Sequence, residues 1–77
     1  MKIVAKSFQM KGDLDDNYTL YENGDVLHEY DKHRYPGGFN LERTIIANEL
    51  KESVKVRLLE ATPQENLDLA KRLMNIE

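Results

Sequence analysis

The side chains best suited to acid–base or metal chemistry near neutral pH are the two histidines, His28 and His33. Five positions apart on an extended chain, they point to opposite faces and cannot grip one ion together without a bulge. A zinc site needs three or four converging ligands, and Glu29 and Asp31 share a face with His33 alone. Asp13, Asp15, Asp16 and Asn17 offer oxygen ligands at calcium-loop spacing. However, Tyr18 and Gly24 stand where an EF-hand loop, counted from Asp13, needs its glycine and its bidentate glutamate. Ser7 and Ser53 lie in ordinary strand and helix contexts with no nucleophile motif around them, and Gly37-Gly38 lacks the spacing of a phosphate loop. No catalytic residue, metal ligand or cofactor is therefore expected, and the chain reads as a non-enzymatic protein.

Recognition is better supported than catalysis. From Lys11 to Asp31 a single base faces seven acids, Asp13, Asp15, Asp16, Glu22, Asp25, Glu29 and Asp31, within an overall charge of −3. The same stretch carries Tyr18, Tyr21 and Tyr30, and tyrosine supplies large amphipathic contact area at low entropic cost. Strand faces alternate, so the three rings cannot all be buried under one helix layer. The leading expectation is an interaction or regulatory module whose acidic, tyrosine-bearing hairpin meets a basic protein surface or a second copy of the chain. Its candidate contacts are Tyr18, Tyr21, Glu22, Asp25, Glu29 and Tyr30. The alternative is a ligand or nucleic-acid binder using the basic and aromatic loop Lys32-Phe39, with Lys32, His33, Arg34 and Tyr35 as contacts. Net negative charge and the lack of a basic stripe elsewhere disfavour nucleic acid, whose affinity rests on phosphate neutralisation.

These residues need a scaffold, and its elements are legible. Lys2 to Met10 mixes β-branched, aromatic and polar residues without glycine or proline, which favours a strand. The following KGDLDDN reads as a surface loop, because Gly, Asp and Asn bond their own backbone and suit turns. Asn23-Gly24 between the strand-like runs Tyr18–Glu22 and Asp25–Tyr30 predicts a β-hairpin. A two-residue turn sets Tyr21 opposite Val26, whereas a three-residue turn with a bulge at Gly24 sets Leu20 there. Pro36-Gly37 suits a type II reversal, and residues 41–47, which also fit a helix face, read better as a further strand.

From Glu49 the period changes. Leu50, Val54, Leu58 and Ala61 form one helical stripe, with Asn48 as the expected N-cap. Thr62-Pro63-Gln64-Glu65 has the pattern of a capping box ahead of a last helix. That helix has the stripe Leu67, Ala70, Leu73 and Met74 and an Asp68–Arg72 pair one turn apart. Both stripes need cover, which an antiparallel sheet supplies. The expected fold is α+β, a meander of three to four strands packed by two C-terminal helices.

Seventy-seven residues without cysteine fit one domain, residues 1–77, with no disulfide or thiolate site to supplement a small core. Such a core leaves self-association as a homodimer open. The apolar run Ile3 to Ala5 is far too short for a signal sequence and no stretch is long enough to span a membrane, so a cytoplasmic location is expected.

Overall fold

The computed structural model describes residues 2–12, 14–31 and 41–76. Four strands, β1 (Ile3–Lys11), β2 (Leu14–Tyr21), β3 (Asp25–Tyr30) and β4 (Leu41–Ile46), form one antiparallel sheet in the order β1-β2-β3-β4. A short 3-10 turn, Ala47–Glu49, leads to helix α1 (Glu52–Ala61); a second, Gln64–Asn66, leads to helix α2 (Leu67–Leu73). The chain is thus the expected α+β meander with two C-terminal helices. Among the described residues no helix is long and apolar enough to cross a membrane.

The Asn-Gly hairpin forms with the bulged register. Leu20 pairs with Val26 and Tyr18 with His28. Gly24 takes a positive φ of 91°, and its N–H donates to the Tyr21 carbonyl at 3.0 Å. A two-residue turn of the mirror-image type would need positive φ at both central positions. Asn23 instead stays at negative φ, and its side-chain oxygen accepts from the Asp25 N–H at 3.0 Å. The β1–β2 connection is tighter than a KGDLDDN loop. Lys11 pairs with Leu14, Gly12 supplies a positive φ of 64°, and β2 already runs through Leu14–Asn17. Cross-strand partners on β1 hold these polar residues extended where local propensity alone favours a turn.

The register sorts the sheet into two faces. Ala5, Ser7, Asp16, Tyr18, Leu20, Val26, His28, Tyr30, Leu41, Arg43 and Ile45 share one face. A register shift between Ile3 and Ala5 lets Val4 join Ala5 in the core. Helix α1 packs on β1 and β2, and α2 on β1 and α1. Leu58, Ala70 and Met74 fill the space above Val4, Leu20 and Val26, all essentially fully buried. Lys6, Phe8, Met10, Asp15, Asn17, Thr19, Tyr21, Leu27, Glu29, Glu42 and Thr44 share the other face, which no described element covers.

The helix ends depart from the sequence expectation. Asn48 lies within the 3-10 turn, Lys51 is the N-cap of α1 without a side-chain bond, and Leu50 is buried ahead of the helix. Ala61, at the end of the predicted stripe, is exposed. The capping box does not form. The Thr62 hydroxyl donates to the Leu58 carbonyl at 2.6 Å, closing the last turn of α1, and the 3-10 turn at Gln64 starts without a side-chain cap. Asp68 and Arg72 form no ion pair. Helix α2 ends instead with Asn75 at a positive φ of 57°. The Ile76 N–H bonds the Lys71 carbonyl and the Asn75 N–H bonds that of Arg72, a left-handed stop that satisfies two orphan carbonyls.

Candidate functional site

Once β2 begins at Leu14, Asp16 falls on the same face as Tyr18 and Leu20, which puts a carboxylate on the helix side of the sheet. Its partner is Arg57, which α1 carries across from the opposite layer. Arg57 Nη1 donates to Asp16 Oδ2 at 3.1 Å, Nη2 donates to the Asp16 carbonyl, and Nε donates to the Ser7 hydroxyl at 2.8 Å. His28 Nε2 lies 2.6 Å from Asp16 Oδ1. The side chains of His28, Arg57 and Asp16 are only 12%, 13% and 20% exposed, so this network lies largely out of water. Burial pushes the Asp16 carboxyl up, but the hydrogen bonds and charges of His28 and Arg57 outweigh it and hold the group below its ordinary value of 3.8. With Asp16 ionised and accepting, the facing Nε2 of His28 donates.

Rings complete the cluster. Tyr18 stacks on His28 at 4.2 Å between centroids with planes 1° apart, and His28 on Tyr30 at 4.5 Å. The Arg57 guanidinium sits 4.9 Å from the Tyr18 centroid on a face available to a cation. Burial raises the Tyr18 phenol above its ordinary value, and the Asp16 charge raises it further. The Ser7 hydroxyl in this network is bonded to Arg57 and not to His28, and three Arg57 donors are spent on Ser7 and Asp16. The cluster has the character of a structural clamp joining α1 to β1 and β2. Sequence reasoning weighed Ser7 only as a lone serine and did not find Arg57. The available signal was Asp16 at two-residue spacing from Tyr18 and Leu20, a charge on a core face that requires a partner from elsewhere.

The candidate contacts read from sequence separate in space. Tyr18, 9% exposed, and Tyr30 lie on the helix side. Tyr21 and Glu29 lie on the open face but at opposite ends of the hairpin, with Tyr21 beside Ile3. Glu22 belongs to the turn and Asp25 opens β3, where its carboxylate accepts from the Asn23 amide at 3.0 Å. Lys32, His33, Arg34 and Tyr35 lie outside the described residues, as does the reversal at Pro36-Gly37. Among the described residues no group of three or more His, Asp or Glu converges as a metal site.

What the open face does bring together is a row the sequence did not disclose. Phe8, Asn17, Glu29 and Glu42 lie side by side across all four strands, with Met10 and Asp15 paired in the adjacent row. Phe8 and Met10 are 65% and 66% exposed, the largest exposures among the large apolar side chains of the described residues. Asp15, Asn17, Glu29, Asp31 and Glu42, together with Tyr30 and Leu41 at the strand ends, line a depression of about 190 Å³, and Asp15 and Asn17 connect it to Phe8 and Met10. Glu29 stands directly opposite Glu42, a like-charge juxtaposition that weakens a sheet unless a cation approaches. Comparison of the chain with known protein families, with characterised proteins and with solved structures found no match.

Proposed function

We propose that this chain is a non-catalytic recognition module that binds a basic protein segment on the open face of its sheet. Phe8 and Met10 serve as apolar anchors, and Asp15, Glu29 and Glu42 receive the positive charge. The observation that carries this reading is the pairing of two well-exposed apolar side chains with a cluster of carboxylates on the face that no described helix covers. Unpaired acids at the centre of a face favour a cationic partner and oppose stacking of two identical faces, because self-pairing would set carboxylate against carboxylate. A partner of this kind inserts an apolar side chain between Phe8 and Met10 and an arginine or lysine into the depression beside Glu29.

This reading keeps the acidic β-hairpin as the recognition element and moves the aromatic contribution from its tyrosines to β1. The test is a titration of the protein with a basic peptide bearing one central leucine or phenylalanine, alongside an acidic peptide of the same shape. Binding to the basic peptide alone, weakened by salt and lost in the Phe8→Ser/Met10→Ser double variant, is the expected result. Equal binding of both peptides, or unchanged affinity in that variant, would refute the assignment.

A further inference from the structure

The helix side of the sheet holds a second concavity, remote from the open face. Two adjoining depressions of about 340 and 390 Å³ meet at Tyr18, Lys51 and Val54, between the sheet and the start of α1. Their combined volume is in the range of small-molecule sites. The apolar part is formed by the Tyr18 ring, Ile45, Leu50 and Val54. The charged part is uneven. Arg57 and Asp16 pair with each other, leaving Arg43 and Lys51 against Glu49 alone, so the lining carries one uncompensated positive charge. Arg43 sits directly across from His28 on the same face, and both Arg43 and Arg57 act electrostatically on the Tyr18 hydroxyl. His28 also lines the cavity, and its Nδ1 is buried with no hydrogen-bond partner, an unmet demand in a place where polar atoms are ordinarily satisfied.

From this lining we infer that the cavity over Tyr18 binds a small organic monocarboxylate with an apolar body. The carboxylate is held by Arg43 and Lys51, and the body rests on Ile45, Leu50 and Val54. One net positive charge matches a monoanion better than a phosphate dianion. A free organic acid and the C-terminal carboxylate of a peptide present the same chemistry, and they are distinguished by experiment. Amide ¹H–¹⁵N spectra of the full chain are recorded during titration with hexanoate, methyl hexanoate, inorganic phosphate, and an apolar tripeptide with a free or amidated C-terminus.

Saturable shifts at Tyr18, His28, Arg43, Ile45 and Leu50 to Val54 with hexanoate, or with the free but not the amidated tripeptide, are the expected result, the responding arm naming the source. The Arg43→Gln/Lys51→Gln variant, altered at two exposed positions and therefore expected to keep the wild-type spectrum, should bind about tenfold more weakly, the scale of one lost charge-assisted hydrogen bond. Binding of the methyl ester as tight as that of the acid, tighter binding of phosphate, unchanged affinity in the double variant, or the absence of shifts at these residues would each overturn the inference.

Discussion

Replacing Arg57 with leucine should be among the most damaging single changes in this protein that leaves its apolar core intact. The guanidinium makes three hydrogen bonds, to the Ser7 hydroxyl and to the carboxylate and carbonyl of Asp16. Leucine preserves much of the apolar stem but leaves the Asp16 charge, four-fifths buried, with His28 as its remaining partner, and leaves Ser7 unpaired. Removing one member of a buried pair costs roughly 3–5 kcal/mol, and the partial exposure of Asp16 places this case at the low end, about 3 kcal/mol. For a domain of this size, that corresponds to a fall in Tm of roughly 15 °C. Arg57→Lys keeps the charge but cannot serve three acceptors in a fixed fork, so it should lose about half as much.

Urea unfolding at pH 7 measures both variants, and a double-mutant cycle with Asp16→Asn isolates the coupling, expected at about 1–2 kcal/mol. The pH dependence gives an independent reading. Because the Asp16 carboxyl is held below 3.8 in the folded state, its contribution is complete above that value and is lost as pH falls through the folded value. The wild type should therefore lose stability in strong acid more steeply than Asp16→Asn. A loss below about 0.5 kcal/mol for Arg57→Leu, the range of ordinary surface substitutions, together with zero coupling, would refute the clamp.

Leu58→Ala should cost about 3 kcal/mol in chemical denaturation, since Leu58 is fully buried between the layers and its removal leaves a cavity. Gly24→Ala should destabilise by roughly 1 kcal/mol. The added Cβ would meet only Leu73 at an ordinary 3.8 Å, so the cost is the strain of φ at 91°, and an unchanged melting temperature would argue against the bulged turn. Thr62→Ala removes a hydroxyl bond to the Leu58 carbonyl and should cost about 0.5–1 kcal/mol, with Glu65→Ala adding nothing because no capping box links the two. Tyr18, raised above its ordinary 10.0, should ionise later than an exposed tyrosine in an ultraviolet titration. Its contribution is present below pH 10 and lost as pH rises through the folded value.

The meander of strands was legible because β-branched alternation and Asn23-Gly24 each act over a few residues. The hairpin register was not, because Asn-Gly serves both turn types, and the choice rests on whether Asn23 adopts positive φ. Leu14–Asn17 looked like loop for the same reason that Asp and Asn favour turns, and pairing with Lys11–Phe8 overrode that preference. Thr62 illustrates the same competition in a helix end: its hydroxyl can accept from Glu65 or donate to Leu58, and the fold takes the second. The clamp between Ser7, Asp16 and Arg57 joins residues up to fifty positions apart, and no local pattern encodes it. The acidic hairpin was visible in sequence as composition. The apolar partners Phe8 and Met10 became visible only when register placed them beside Asn17 and Asp15.

The most direct measurement is a map of amide shifts during addition of the basic, leucine-bearing peptide. Perturbation concentrated at Phe8, Met10, Asp15, Asn17, Glu29 and Glu42, with Leu58 and Ala70 undisturbed, is the predicted result. Shifts confined to the helix side, or saturation that persists undiminished in Glu29→Gln/Glu42→Gln, would contradict recognition through the open sheet.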